Sequence, residues 1–505
     1  MPFINSIISW FITKRMVQIE LFKKYPVEVQ RETLDKLLHK GKRTLFGKEH
    51  GFSSVSNYAQ FKSRVPVRDY TDLKPYIQRA LAGESNVMWP GEVKWFAKSS
   101  GTTSDKSKFI PVTRDNMEAC HFRGGKDISS IYLTNYPDSG VFLGKILIVG
   151  GSHQISEFNT DSFFGDLSAV LLQNLPFWAQ MIRTPELSIA LMPEWESKIE
   201  KLAEVTSKVN VTNISGVPSW TLVLLKRILE RSGKSSISEI WPNLEVYVHG
   251  GVRFDPYREQ FKQLFQNERM RYLETYNASE GFFGIQDDPN QQDLLLMLDY
   301  EVFFEFIPLE HIDSSDDYAL PIWEVETGKN YAMVISTSSG LWRYLLGDTI
   351  RFTSLQPVKF VITGRTKHFI NALGEELIID NADQALYKAC QLTHAEIAEY
   401  TAAPVYMNDT KGARHQWLIE FVTPPENLDF FADVLDNNLK ALNSDYEAKR
   451  YKNMALHAPE IISVQQGVFY HWLKSKGKLG GQHKVPRLSN DRKIAEEILQ
   501  LNPSL

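Results

Sequence analysis

The chain has 505 residues, 43% of them hydrophobic and 23% charged, a balance that excludes disordered and fibrous classes and suits a globular enzyme. A formal net charge of -5 gives no general attraction to nucleic acid. Two cysteines, Cys120 and Cys390, exclude a disulfide framework or thiolate zinc site and suit a reducing compartment, so a cytoplasmic location is expected.

Length predicts roughly two to four domains. The apolar stretch Phe3 to Ile12 is too short to span a bilayer. The basic pair Lys14-Arg15 follows it, whereas a signal peptide carries its charge in front. We read this opening as an amphipathic helix docked on the body, with a membrane-surface anchor as the alternative. The first ninety residues continue as helices with one apolar side, on which Leu34, Leu37 and Leu38 fall. From about Val93 short apolar runs alternate with helical patterns. Lys145 to Val149 ends in Gly150-Gly151, Trp220 to Ser232 has helical spacing, and Leu244 to Val248 runs into His249-Gly250-Gly251. That alternation predicts an α/β fold.

Between Asp293 and Phe360 the strands crowd together: Leu294 to Leu298, Val302 to Ile307, Tyr331 to Ser336, Thr349 to Phe352 and Lys359 to Ile362. They predict a meandering antiparallel sheet. The last part offers a helix from Ala382 to Gln391, a strand from Trp417 to Val422 and a helix from Leu428 to Leu442, a small α+β domain. We expect the boundary near Gly364-Arg365-Thr366-Lys367. A large domain of residues 1–365, with mixed sheets and flanking helices, then precedes a smaller mobile one of residues 366–505.

Three segments carry chemistry. Ser99-Ser100-Gly101-Thr102-Thr103-Ser104-Asp105-Lys106-Ser107-Lys108 is a hydroxyl-rich loop between two apparent strands. It can offer backbone N–H groups, hydroxyls and an ammonium to phosphate oxygens, or be a polar hairpin without a ligand. It fails the Walker pattern, which needs strand, loop and helix in that order. In Tyr276-Asn277-Ala278-Ser279-Glu280-Gly281 a tyrosine can wall an adenine and one carboxylate can hold Mg²⁺ beside phosphates. Taken alone, the stretch reads first as a strand end and turn. Arg343-Tyr344-Leu345-Leu346-Gly347-Asp348 places a Gly-Asp turn between strand-like runs, where the aspartate can accept both ribose hydroxyls or simply make a β-turn.

Together and in this order, the three resemble the signature motifs of the auxin-responsive acyl-acid amido synthetases, the Gretchen Hagen family. That family lies within the superfamily of acyl-CoA synthetases, peptide-synthetase adenylation domains and luciferase. The resemblance covers nearly the whole chain and implies an ATP- and Mg²⁺-dependent ligase. Ser99, Ser100, Gly101, Thr102 and Thr103 would cradle phosphates, with Lys106 or Lys108 in support. Tyr276 would pack on adenine beside Ser279, Glu280 would bind Mg²⁺, and Asp348 would hold the ribose. Gly251, in His249-Gly250-Gly251-Val252, would line the nucleotide and acyl pocket. His249 would face the acyl group or, equally, be a core histidine at a strand end. Arg365 resembles the hinge arginine, and Lys484, in the basic loop Gly477 to Arg487, the mobile catalytic lysine. Lys108, Arg365 and Lys484 are the expected catalytic residues.

The expected reaction is adenylation of a carboxylic acid, then acyl transfer to an amine, most simply an amino acid. A thiol acceptor, giving an acyl-CoA ligase, and a silent nucleotide-binding regulator are the alternatives. Trp178, Phe177, Trp220 and Phe254 suggest an aromatic-walled room for the acid, or plain core packing. Small-molecule substrates are the expected partners, without nucleic acid, membrane insertion or an obligate protein partner.

Overall fold

The computed structural model describes residues 14–99, 108–150, 156–157, 162–192, 194–251, 254, 257–312, 314–366, 369–370, 373–375, 377–406, 412–453, 455–476 and 485–502. The expected helix at the start lies partly outside them. Its described part, residues 14–24, is helical and docked. Ile19 and Phe22 are buried, and Arg15 is ion-paired to Asp127 and Asp299, each at 2.6 Å.

Helices Pro26–Gly41, Tyr58–Arg64 and Tyr70–Leu81 follow, as the spacing of apolar residues predicts. Proline stands in the first turn of the first, where no N–H partner is lost. Asp69 closes a capping box at the start of the third.

Strands then take over. β1 (Trp95–Ser99) and β2 (Lys108–Val112) form a hairpin, followed by β3 (Lys145–Val149), β4 (Ser156–Glu157), β5 (Phe163–Gly165) and β6 (Arg183–Thr184). β7 (Val211–Gly216), β8 (Val246–Gly250) and β9 (Arg271–Ala278) alternate with helices Pro218–Ser232 and Arg258–Phe265. From β10 (Gly281–Ile285) strand follows strand: β11 (Leu294–Leu296), β12 (Val302–Pro308), β13 (Leu320–Pro321), β14 (Asn330–Thr337), β15 (Tyr344–Leu355) and β16 (Val358–Arg365). The C-terminal part holds β17 (Phe369–Ile370), β18 (Leu377–Ile378), β19 (Glu396–Val405), β20 (Arg414–Thr423) and β21 (Glu460–Val464). Helices Ile379–Thr393 and Leu428–Leu442 accompany these strands.

Among the described residues one sheet runs β13-β12-β14-β15-β16-β11-β10-β9-β8-β7-β3-β6. β6, β3, β7, β8 and β9 are parallel, and from β9 through β10 to β12 every pairing is antiparallel. The α/β reading and the antiparallel meander therefore meet in a single sheet. The parallel strands all end on one edge, the side where open α/β sheets bind ligands.

The sheet curls sharply near its middle. Four strand spacings separate β9 from β15, about 19 Å in a flat sheet. Yet the Tyr276 hydroxyl of β9 donates a hydrogen bond to Asp348 of β15. Gly284 of β10 makes room for this bend, since a Cβ there would stand 2.9 Å from the Phe360 ring of β16.

One apolar core lies between the N-terminal helices and the antiparallel strands. A second is continuous from Leu222, Trp241 and Tyr257 to Leu373, Trp417 and Tyr446, so it crosses the expected boundary. The three strands β19, β20 and β21 and their helices give the small α+β unit that the sequence suggests.

One element differs from expectation. Gly347-Asp348 is not a turn between strands but part of the continuous β15. Ala332 and Val334 of β14 face Thr349 and Leu345 of β15, so the partner strand carries extra residues in a bulge. Gly347 takes φ +96 there, which a glycine adopts freely.

Candidate active site

The β9–β10 hairpin turns on Ser279-Glu280, as the motif suggests. Tyr276 lies two residues before the end of β9 with its ring centroid 5.1 Å from that of Phe283 and 6.0 Å from that of Phe360. Packed this way, its hydroxyl is aimed at the Asp348 carboxylate. Both residues are buried.

Tyr344 joins the remaining parts. Its hydroxyl donates to Glu280 Oε1 at 3.4 Å and accepts from Lys108 Nζ at 3.4 Å. Burial, and then the neighbouring Glu280 carboxylate, push the Tyr344 phenol far above its ordinary pKa. It therefore stays protonated and fixes the carboxylate as a donor. The Lys108 ammonium also stands over the Tyr70 ring, 5.6 Å from its centroid.

Lys108 is the first residue of β2 and pairs in register with Ser99, the last of β1. Both roots of the hydroxyl-rich loop are thus fixed here. Ser100, Gly101, Thr102, Thr103 and Lys106 themselves lie outside the described residues, as does Lys484. Asp348 pairs across the strands with Arg365.

The glycine pair has a packing reason. A Cβ on Gly250 would stand 2.4 Å from the Thr275 carbonyl oxygen, so β8 can press against β9 only with glycine there. Gly251 takes φ +80. Thr275 Oγ1 donates to His249 O at 3.1 Å, fixing the backbone immediately before Tyr276.

Glu280 is a single hard-oxygen donor at the turn. Among the described residues no group of three or more His, Cys, Asp or Glu could enclose a metal. Mg²⁺ needs no such cage, since it keeps waters and takes substrate phosphate oxygens beside one or two carboxylates. The residue present fits that ion.

Several expected neighbours are elsewhere. His249 is buried in the second core, its ring stacked on Phe254 at 4.0 Å, so the core alternative holds. Desolvation pulls its pKa to about 3, leaving a neutral imidazole. Three of the four aromatics weighed as a room for the acid or as core packing lie within the described side chains. Phe177 is 79% exposed, Phe254 is in the core, and Trp220 lies under the Lys449 ammonium at 4.1 Å. The side chain of Trp178 is outside the described residues. Cys120 is buried with its thiol raised to about 12 by desolvation, which suits packing and not nucleophilic attack.

Two residues of the motifs hold structure. Arg343 is ion-paired to Glu305 and Asp317 at 2.8 and 2.5 Å. Arg487 pairs with Asp383 at 2.5 Å. Tyr344 is the residue that motif reasoning missed: it lies in the third segment, but only the curl of the sheet shows that it links the other two. A cleft of about 1010 Å³ lined by Lys40, Trp95, Asp115 and Arg123 opens at the far end of the β1–β2 hairpin, away from this cluster.

Three family descriptions match the chain: the GH3 family N-terminal domain over residues 15–270, the central domain over 295–365 and the C-terminal domain over 380–493. The chain belongs to the GH3 family. It is 25% identical to the indole-3-acetic acid-amido synthetase GH3.4 of Arabidopsis thaliana, over 94% of this chain and 91% of that one. It is 23% identical to the jasmonoyl–L-amino acid synthetase JAR4 of Nicotiana attenuata, over 93% and 92%. Among solved structures, the AtGH3.15 acyl acid amido synthetase matches with a TM-score of 0.62 at 18% identity, covering 97% and 96% of the two chains. A 2-hydroxyisobutyryl-CoA ligase matches with a TM-score of 0.57 at 13% identity, covering 94% and 91%. This GH3 chain therefore has the fold of the adenylate-forming enzymes, and its family makes it a ligase. No helix among the described residues is long and apolar enough to cross a membrane.

Proposed function

We propose that this GH3 chain activates a carboxylic acid with ATP as an acyl-adenylate and transfers the acyl group to an amino acid. The observation that carries the reading is the meeting of Tyr276, Glu280, Tyr344, Asp348 and Lys108 at the root of the hydroxyl-rich loop. The two plant relatives named above are a jasmonoyl–L-amino acid synthetase and an indole-3-acetic acid-amido synthetase, which favours an amine acceptor over a thiol.

In the first step the substrate carboxylate attacks the α-phosphorus and pyrophosphate leaves. No protein nucleophile is needed, so the enzyme's work is electrostatic. Ser99, Ser100, Thr102 and Thr103 donate to phosphate oxygens, Gly101 admits the backbone, and Lys108 offsets the growing charge. Asp348, oriented by the Tyr276 hydroxyl, accepts the ribose hydroxyls. Tyr276 also bounds the adenine beside Ser279, and Gly251 leaves space for the nucleotide. Glu280, held by Tyr344, is the residue that would bind Mg²⁺. Bound there, the ion would neutralise phosphate charge.

In the second step the amine attacks the acyl carbon and AMP leaves. The small domain of residues 366–505 turns about Gly364 to Lys367 between the steps, so that one set of contacts at the nucleotide replaces another, with Arg365 at the hinge and Lys484 on the moving part. A cytoplasmic location fits the sparse cysteine use. The deciding assay is AMP release with a panel of acids, once with mixed amino acids and once with coenzyme A. Release that depends on amino acids is the expected result. Dependence on coenzyme A makes the chain an acyl-CoA ligase, and ATP binding without turnover on any acid makes it a silent regulator.

A further inference from the structure

One face of the parallel strands is incompletely covered. Register aligns Arg183 of β6, Ile146 of β3, Asn213 of β7 and Val246 of β8 side by side. The next row toward the strand ends holds Ile148, Ser215 and Val248. Residues paired across a sheet project from the same face. Val246 and Val248 enter the first core, while Leu147, Ile214 and Tyr247 fill the second on the opposite face. Side chains on interior strands are usually sealed, yet Ile146, Ile148 and Ser215 are all part-exposed. Solvent thus reaches a strip of this face floored by two isoleucines, here called the slot. It runs to the carboxyl ends of β3 and β7, the edge on which Gly250 also lies.

The inner end of the slot is polar. Arg183 and Asn213 are each only 8% exposed. Arg183 Nη1 donates to Pro185 O at 2.5 Å, but its Nε has no partner, and neither has Asn213 Oδ1. Among the described residues no carboxylate pairs with the guanidinium, and burial pulls its pKa down. A buried cation without a counter-charge is costly. Its rigid fork of donors matches a carboxylate. Asn213 can turn its NH₂ toward the same anion by a half-rotation of the amide.

We propose, resting on the adenylation reading above, that the slot holds the acid substrate and that Arg183 with Asn213 grips a second carboxylate at its inner end. The substrate class is then a dicarboxylic acid. Its carbon chain lies along Ile146 and Ile148, one carboxylate is presented at the strand ends for activation, and the other stays on Arg183.

The test is acid-dependent ATP–pyrophosphate exchange with pairs of equal length, hexanoate against adipate and octanoate against suberate. The wild type favours the dicarboxylate, and in Arg183→Met the ratio of the two kcat/KM values falls on the order of 10²-fold. If the carboxylate is the acceptor amino acid's, the exchange ratio holds and the acceptor's KM rises in the variant, which supports the anion site and reassigns its source. Thermal melting separates this from the adenylation reading. Adipate raises the wild-type Tm without ATP and leaves that of Arg183→Met unmoved, even if no acid supports exchange. Without ligand the variant melts close to the wild type, because losing the Pro185 contact is offset by losing a buried charge that has no counter-charge among the described residues. The proposal is overturned if exchange ratio, acceptor KM and adipate-dependent Tm are all the same in both proteins, or if Arg183→Met lowers the Tm without changing any of them.

Discussion

Asp348→Ala and Glu280→Ala are each expected to abolish measurable acid-dependent ATP–pyrophosphate exchange. Losing one preorganised contact to a developing charge typically costs on the order of 10²–10³ in rate. Both carboxylates are buried and held by tyrosine hydroxyls, Asp348 by Tyr276 and Glu280 by Tyr344. They are therefore fixed before substrate arrives and pay no reorganisation in the reaction. Tyr276→Phe removes only the donor that orients Asp348, so its loss is smaller and falls mainly on the KM for ATP. Each variant's Tm, measured alongside, separates lost chemistry from lost fold. Exchange at the wild-type rate in both alanine variants removes these residues from the site.

Arg343→Met should be the most destabilising of the single changes named here, by about 3–5 kcal/mol, without touching the nucleotide contacts. The side chain is fully buried. Its Nε donates to Glu305 at 2.9 Å, and its Nη1 to Val65 O at 2.7 Å and to Asp317 at 2.5 Å. One guanidinium thus ties β12 to the N-terminal helices. Removing it leaves the buried Glu305 carboxylate without its guanidinium, held by the Tyr58 hydroxyl. The backbone at Arg343 also has φ +46, a strain that its N–H bond to Ser336 Oγ at 2.9 Å helps to hold. Burial pushes the Asp317 carboxyl up, but the Arg343 hydrogen bonds and charge, with the Ala319 N–H and the Lys62 charge, together outweigh it and leave the folded pKa lowered. A lowered carboxylate pKa stabilises the fold above the unfolded value and is lost as pH falls through the folded one. The Tm gap between wild type and Arg343→Met should accordingly narrow below about pH 4. A variant that melts with the wild type at pH 7 contradicts this assignment.

The sequence reading succeeded where chemistry is local. Strand periodicity and the Gly-Gly ends marked β3 and β8, and the loop bracketed by Ser99 and Lys108 joins two strands as read. The Ser279-Glu280 turn needed only its neighbours to be recognised. What stayed hidden depends on three-dimensional curl and on which face a strand buries. Gly347-Asp348 looks like a turn because glycine and aspartate favour turns, but pairing on both sides of β15 overrides that preference and leaves a bulge. His249 and Phe254 read equally well as pocket or as core residues in the sequence, and the alternation of β8 sends His249 into the second core, stacked on Phe254. Arg183, on a two-residue edge strand, gives no motif at all. Only its burial beside the slot makes it visible.

The most direct measurement is a crystal structure of the chain with Mg²⁺ and ATP. The account predicts one triphosphate with the hydroxyls of Ser100 and Thr102 on its phosphates, the metal at Glu280 and the ribose on the Asp348 carboxylate. Nucleotide bound at any other place, with these three segments touching no common ligand, would contradict it.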